Sequence, residues 1–191
     1  MREKSQEKKN GILQATLELV ADQGFHGTSI SQIANKAGVN VGSIYYYFES
    51  KDDILNALYL DCKTRITQRA FCHCTESDSA EKRLKFMIRN IIEYFSENQR
   101  ELAFIVQYEN SPYLANIIST EKYANILKPY IDLFNELRAE NVIKELPIGV
   151  LHSLISGAVI SLASYYIEHA EAFEEAALTS TIDAIWDMAK K

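Results

Sequence analysis

The chain has 191 residues, of which 47% are hydrophobic, and a formal net charge of −6. A chain of this length buries on the order of 70% of its unfolded surface, which excludes a need for a metal or a disulfide to hold it folded. Its seven glycines and three prolines are too few for the turns of a strand-rich protein, so we predict an all-α fold of about nine helices.

The charge is unevenly distributed along the chain. Residues 1–70 contain nine Lys or Arg and eight Asp or Glu, whereas residues 71–191 contain eleven and eighteen. Because nucleic-acid-binding surfaces are basic, we expect the acidic excess to lie away from any such surface. The composition therefore leaves room for a DNA-binding surface in the N-terminal part.

The N-terminal residues predict three helices in close succession. The first runs from Gln6 to Gln23 and ends at Gly24. The second follows the hydroxyls of Thr28 and Ser29. It carries four apolar residues at helical spacing, Ile30, Ile33, Ala34 and Ala37. Gly38 then permits the sharp turn of a helix-turn-helix, and a third helix of about two turns follows.

The remaining residues predict a fourth helix and a larger helical region. The fourth helix begins after Ser50, with Lys51 at its first position. Further helical patterns lie at about 80–97, 99–109, 113–141, 147–169 and 174–190. We expect Pro129 to bend or divide the third of these, and Pro147 to begin the fourth.

The residues from Thr28 to Leu55 carry a specific resemblance. Their order T-S, I-A, A-G-V, G-S-I-Y-Y-Y-F and K-D-D-I-L resembles the DNA-binding domain of TetR-family transcriptional regulators. The resemblance implies a helix-turn-helix domain at residues 1–50 and a helical ligand-binding and dimerisation domain at residues 51–191. It also implies a homodimeric repressor that binds a palindromic operator on double-stranded DNA and is released by a small-molecule effector.

The candidate DNA-binding residues divide into two groups by chemistry. The amides and hydroxyls that begin the second helix, and the ammonium of Lys51, can hold phosphates. The third helix can enter the major groove, where Gly42 permits close approach and small polar or apolar side chains reach base edges. The predicted set is Thr28, Ser29, Ser31, Asn40, Val41, Gly42, Ser43, Tyr45, Tyr46, Tyr47 and Lys51.

The last two predicted helices are candidates for self-association. Ser153, Gly157 and Ser161 recur every four residues and would let two helix backbones approach closely. The predicted interface is Ser153, Leu154, Gly157, Ala158, Ser161, Leu162, Leu178, Ile182, Ile185 and Trp186. The alternative is that these stripes belong to the core of a single chain. The family resemblance favours the dimer.

Aromatic side chains in the larger region are candidates for an effector pocket. Their rings and hydroxyls suit a small apolar or aromatic molecule. The predicted set is Phe86, Phe104, Tyr108, Tyr113, Tyr130, Phe134, Tyr165 and Tyr166. The alternative is that they are ordinary core residues, since any helical core of this size contains aromatics.

Other features indicate a cytoplasmic protein without a cofactor or a metal. Cys62, Cys72 and Cys74 fit a reducing compartment, and buried or idle thiols are favoured over metal or redox sensing. The uncharged run 148–167 has the length of a membrane span but contains His152 and several serines, so we predict a helix buried within an oligomer. Enzymatic sequence motifs are absent, which predicts a non-enzyme. The remaining alternative is a helical scaffold or partner-binding protein whose helix-turn-helix does not bind DNA.

Overall fold

The computed structural model describes residues 2–75, 77–169 and 174–191. Within these ranges the chain forms nine α-helices and one short 3-10 helix. The α-helices are α1 Arg2–Gly27, α2 Ile30–Lys36, α3 Val41–Tyr47, α4 Lys51–Ala70, α5 Ala80–Glu97, α6 Gln99–Glu109, α7 Glu121–Ala139, α8 Ile148–Glu168 and α9 Glu175–Ala189. The predicted all-α fold is therefore confirmed.

Two helix boundaries differ from expectation for local reasons. The backbone of α1 breaks at Gly24, whose φ of 72° is left-handed, and a final helical turn follows to Gly27. The single helix predicted at 113–141 is instead the 3-10 helix Pro112–Asn116 followed by α7. Helix α7 continues through Pro129.

The chain forms two compact units that do not follow a single cut in the sequence. The first unit comprises Met1–Lys63 and Arg100–Tyr123, and the second comprises Thr64–Gln99 and Ala124–Lys191. The expected division at residue 50 therefore differs from these units. Helix α4 contributes to both units, and α6 with the 3-10 helix groups with the helix-turn-helix.

The first unit packs α1 against α2 and α2 against α3. The apolar stripes that the sequence predicts form its core, with Ile12, Val20, Ile33, Ile44 and Phe48 all buried. Thr16 is also buried, and its hydroxyl donates to the Ile12 carbonyl of the preceding turn. The core of this unit therefore places α3, a helix of only 7 residues, on a rigid base.

An aromatic cluster packs α4, α6 and the end of α1 together within the first unit. The rings of Tyr59 and Tyr108 stack with centroids 4.1 Å apart, and Phe25 meets Tyr108 edge-on. The Tyr108 hydroxyl donates to Asn56 at 2.6 Å, and that of Tyr59 donates to Glu109 at 3.1 Å. Burial raises the pKa of both phenols, so both hydroxyls stay protonated and keep donating.

The second unit packs α5 against α8 and α9. Helix α5 buries one apolar face, formed by Leu84, Met87, Ile88, Ile91, Ile92 and Phe95. Its other side reaches α9 through ion pairs of Arg89 with Glu175 at 2.7 Å and Lys85 with Asp183 at 3.0 Å. The ion pairs and the apolar contact together fix α9 on α5.

Candidate nucleic-acid interface

Reciprocal hydrogen bonds between Ser29 and Gln32 fix the start of α2. The Gln32 amide donates to the Ser29 hydroxyl oxygen at 3.3 Å, and the Ser29 amide donates to Gln32 Oε1 at 2.8 Å. This is a capping box, which satisfies two amides at the helix start. The sequence analysis identified Ser29 but missed Gln32, although its position three residues after the serine is the signal for this cap.

Helix α3 starts at a side-chain cap directly after the turn. Gly38 has a φ of 66°, a left-handed conformation that glycine adopts without strain. Asn40 then accepts hydrogen bonds from the Ser43 amide at 2.7 Å and the Ser43 hydroxyl at 3.0 Å. The polar atoms of Asn40 and Ser43 therefore hold the first turn of α3 and remain at the surface.

The outer face of α3 is exposed over its whole length. Tyr46 is 79% exposed, Tyr45 56% and Val41 39%, and Gly42 is exposed beside them. Tyr47 is half-buried, and its hydroxyl accepts from Ser5 of α1 at 3.2 Å. On α2, Ser31 is also exposed. Most of the predicted contact residues thus lie on the surface of the first unit, which no other part of that unit covers.

Thr28 does not fit the role that the sequence suggested for its side chain. It is only 2% exposed, and its hydroxyl donates to the Gly24 carbonyl at 2.9 Å. The break in α1 at Gly24 leaves that carbonyl without a helical partner, and Thr28 supplies one. The sequence analysis expected this hydroxyl to contact a phosphate. Its burial and its hydrogen bond to Gly24 do not leave it available for that contact, so the expected role of Thr28 is corrected.

Lys51 has a structural role that the sequence did not indicate. Its ammonium donates to the carbonyls of Phe25 at 2.8 Å and Thr28 at 3.0 Å. These contacts tie the first residue of α4 to the segment between α1 and α2. An ammonium has three donors, so one N–H remains for the phosphate contact, which stays a prediction.

We expect Lys51→Met to lower the free energy of unfolding by about 1–3 kcal/mol, because two carbonyls lose a charged donor. Urea denaturation followed by circular dichroism measures this loss. The matched control is Lys128→Met, which removes an exposed lysine that pairs with Asp132 on the same helix. The control should change stability by less than about 0.5 kcal/mol. Equal effects of both substitutions would contradict the structural role of Lys51.

The predicted effector-binding aromatics are divided between the two units. Phe104, Tyr108 and Tyr113 lie in the first unit, where they pack against Phe25. The other five lie in the second unit and are Phe86, Tyr130, Phe134, Tyr165 and Tyr166. The eight residues therefore do not line one cavity within either unit. In the first unit, Phe104 and Tyr108 are buried in the core and Tyr113 is half-buried.

The second unit contains an open groove of about 380 Å³ between α5 and α9. Phe86 lines this groove together with Lys82, Lys85 and Arg89. Each of these three cations is paired with a carboxylate. Lys82 pairs with Asp78, whereas Lys85 and Arg89 each pair with one carboxylate on α5 and one on α9. These pairs hold α9 on α5 and neutralise the positive charge of the groove.

The small-residue stripe of α8 lies on the surface of the second unit. Ser153, Leu154, Gly157 and Ser161 are exposed, and Ala158 and Leu162 are half-buried. The opposite side of α8 is buried within the chain through Leu151, Ile155, Val159, Ala163 and Tyr166. By length and composition alone α8 could cross a membrane. An apolar helix with only one side covered is equally typical of an oligomer interface.

The four α9 residues of the predicted interface are buried within the second unit. Leu178, Ile182, Ile185 and Trp186 are each at most 5% exposed in the single chain. Helix α9 packs against α5 and α8, so its apolar stripe covers the core of its own unit. Within the single chain these four side chains are therefore core residues, and their assignment to a dimer surface stays a prediction. The exposed side of α9 carries Ala177, Ala184 and Met188.

The cysteines occupy two different environments. Cys62 is buried, whereas Cys72 and Cys74 are half-buried and reduced. Within the described ranges, no group of three or more His, Cys, Asp or Glu side chains is arranged to hold a metal ion.

Two family profiles match the two parts of the chain. The profile described as bacterial regulatory proteins of the tetR family matches residues 12–58. A profile described as a tetracyclin repressor-like C-terminal domain matches residues 79–189. The second match alone covers more than half of the chain.

Similar proteins agree over nearly the full length. The chain is 26% identical over 176 residues to the fatty acid metabolism regulator protein of Bacillus subtilis strain 168, covering 90% of this chain and 89% of that protein. A TetR-family transcription regulator from Shewanella sp. PV-4 has a solved structure with a TM-score of 0.89 and 25% identity, covering 96% of this chain and 98% of that chain.

A second similar structure contains a ligand. The transcriptional regulator FadR from Bacillus subtilis was solved in complex with stearoyl-CoA, and it has a TM-score of 0.70 and 20% identity over 93% of this chain and 95% of that chain. At this identity the match supports the fold alone. With the exposed, capped α3 and the two profile matches, this chain belongs to the TetR family of DNA-binding transcriptional regulators.

Proposed function

We propose that the protein is a homodimeric repressor that binds a palindromic operator through α3 of each copy. The observation that carries this proposal is the outer face of α3, where Val41, Tyr45 and Tyr46 are exposed on a helix too short to be stable alone. Large exposed side chains on a rigidly held short helix suit insertion into the major groove. A twofold dimer places two such helices on two half-sites.

The contacts divide into positioning and reading. The start of α2, whose first residues follow the Ser29 cap, and the remaining N–H of Lys51 suit phosphates, which fix the register of the domain. Val41 suits a thymine methyl, and Ser43 and Ser31 suit base edges. The tyrosine hydroxyls suit the sugar–phosphate backbone.

We expect Gly42→Ala to weaken operator binding at least about tenfold and to leave the fold intact. Among the described residues, a Cβ at position 42 would meet Asn40 Oδ1 alone, at 3.4 Å, so the new methyl group fits the protein but occupies the space in which a base edge would lie. Fluorescence anisotropy with an operator duplex, selected from genomic fragments that the protein retains, measures the effect.

The matched control is Gly11→Ala on α1, where an added Cβ meets nothing within 4 Å. This substitution should leave operator affinity unchanged. If Gly42→Ala binds the operator as tightly as Gly11→Ala does, close approach of α3 to DNA is excluded and the proposed contact map fails.

The effector that we propose is a long-chain acyl-CoA thioester or a closely related acyl compound. The support is the 26% identity over 90% of the chain to a protein named for fatty acid metabolism. A similarly folded regulator was solved with stearoyl-CoA. The apolar character of the second unit suits an acyl chain. This proposal replaces the aromatic pocket expected from the sequence.

Release from DNA requires a difference in affinity. The acyl ligand must bind the conformation that cannot span two half-sites more tightly than the one that can, since a ligand with equal affinity for both shifts nothing. Conversely, operator DNA must weaken acyl-CoA binding by the same factor. The two measurements therefore report the same coupling free energy between the acyl-CoA site and the operator-binding surface.

Titration of stearoyl-CoA into the protein–operator complex tests the effector class. We expect loss of the anisotropy signal with stearoyl-CoA and no loss with CoA alone, which lacks the acyl chain. Release by neither compound would exclude the acyl-CoA proposal and leave the DNA-binding proposal standing.

We further propose a cytoplasmic location, since operator DNA is there, and no enzymatic activity. The alternative is a helical scaffold whose helix-turn-helix does not bind DNA. It predicts no DNA binding that weakens with salt, whereas phosphate contacts give a log–log salt slope of about −0.9 per phosphate. A salt titration of operator binding distinguishes the two.

A further inference from the structure

Two cysteines lie in one tight turn directly after α4. The Cys72 amide donates to the Arg69 carbonyl at 3.2 Å, and the Cys74 amide donates to the Phe71 carbonyl at 3.4 Å. His73 between them has a φ of 64°, which reverses the chain direction. Residues two apart in such a turn lie within the Cα separation that a disulfide bridges.

A guanidinium contacts the first of these sulfurs. Arg69 Nη1 lies 2.9 Å from Cys72 Sγ. Glu93 lies on the other side of this guanidinium at 3.8 Å, which orients it toward the turn. This contact places a positively charged donor directly at the Cys72 sulfur. The sequence alone could not show this contact, because arginine three residues before a cysteine is unremarkable.

The second thiol has a different environment. Burial raises the pKa of the Cys74 thiol, and the charges of Asp78 and Cys72 act in the same direction. Cys74 therefore stays protonated beside Cys72 at neutral pH. This asymmetry distinguishes an attacking sulfur from a resolving one.

The turn is anchored to the core and still accessible. The buried Asn90 of α5 donates to the carbonyls of Ala70 at 3.0 Å and Cys72 at 3.2 Å. Both thiols are nevertheless half-buried, so a small molecule reaches them, whereas Cys62 is fully buried. These hydrogen bonds fix the backbone of the turn that carries both cysteines.

We propose that Cys72 and Cys74 form a peroxide-reactive dithiol, in which Cys72 is the attacking sulfur and Cys74 the resolving one. In the first step the Cys72 thiolate attacks one oxygen of a hydroperoxide, the O–O bond breaks, and the leaving hydroxide or alkoxide takes a proton. This step gives Cys72 sulfenic acid and water or an alcohol.

In the second step the Cys74 sulfur attacks the Cys72 sulfur. The S–S bond forms, the S–O bond breaks, and hydroxide leaves with the Cys74 proton as water. The two thiols lose two electrons, and the peroxide gains them. Arg69 acts as a positioning residue whose guanidinium contacts the Cys72 sulfur.

The test treats the full-length protein with stoichiometric hydrogen peroxide, removes the excess with catalase, and alkylates the remaining thiols after denaturation. Peptide mass spectrometry should show a Cys72–Cys74 disulfide while Cys62 remains fully alkylated. In Cys74→Ser, dimedone should trap a sulfenic acid on Cys72. In Cys72→Ser, Cys74 should react no faster than Cys62.

Arg69 variants separate a chemical role from a structural one. Arg69→Gln should slow oxidation of Cys72 at least about tenfold, and Arg69→Lys should restore part of the rate. Glu93→Gln removes the carboxylate that orients Arg69 but keeps the guanidinium, so it should slow the reaction less than Arg69→Gln does.

Three results would overturn the proposal. They are equal oxidation rates of Cys72 and Cys62, an unchanged rate in Arg69→Gln, and disulfides that join two chains on a non-reducing gel. All readouts are thiol masses and rates, so they are independent of the proposed operator and effector.

Discussion

Replacing Leu154 by glutamate is expected to convert the proposed dimer into monomers and to weaken operator binding at least about a hundredfold. Leu154 is 47% exposed on α8 beside Gly157 and Ser161, so twofold pairing of α8 would bury it against a second copy. A carboxylate there must be desolvated without a partner. A monomer then loses the second half-site, which in the dimer binds as an intramolecular event.

Sedimentation velocity measures the association state, and fluorescence anisotropy measures operator affinity. The matched control is Ile131→Glu on α7, which makes a similar change at a residue that is 42% exposed in the same unit. The control should remain dimeric and bind normally. A dimeric Leu154→Glu protein would exclude α8 from the interface.

Replacing Trp186 by alanine is expected to lower the free energy of unfolding by about 3–5 kcal/mol, even in the monomeric Leu154→Glu background. Trp186 is 5% exposed within the single chain, and Lys85 Nζ lies 6.0 Å from its ring centroid. The loss comes from a cavity and from apolar contacts inside the chain, so removing the second copy should not reduce it.

Chemical denaturation of the single and double variants measures this loss. Met188→Ala on the exposed side of the same helix is the control and should change stability by less than about 0.5 kcal/mol in that background. If Trp186→Ala destabilised only the dimer, the residue would belong to the interface and its assignment to the core would be wrong.

The apolar residues of α8 and α9 differ in exposure within the single chain for one reason. A helix with a single apolar stripe must cover it, but the stripe does not specify whether the cover is the same chain or a copy. In α9 the stripe of Ile182 and Trp186 covers α5. Helix α8 is apolar nearly all round, so only packing separates buried Leu151 from exposed Leu154.

The packing of the aromatic residues could likewise not be predicted from local sequence. Tyr108 and Tyr130 both lie on amphipathic helices, yet they lie in different units. Tyr108 stacks on Tyr59, which is 49 positions earlier in the chain, and no local pattern predicts that pairing. Long-range contacts of this kind depend on the fold as a whole.

The sequence by itself determined the helix-turn-helix and the family. Its signals are local: Ser29 and Asn40 cap helices within three residues, Gly38 needs a left-handed turn, and Ile33 and Ile44 lie at core positions. Local hydrogen bonds and spacing are readable in a linear chain.

Only the tertiary structure decided how distant groups are used. In the folded chain the Lys51 ammonium donates to the carbonyls of Phe25 and Thr28, and the Thr28 hydroxyl is buried. The apolar stripe of α9 packs in the core of its own unit. The physical reason is that a buried polar atom or apolar face must be satisfied by whatever the folded chain brings to it, and that neighbour is specified by three-dimensional packing.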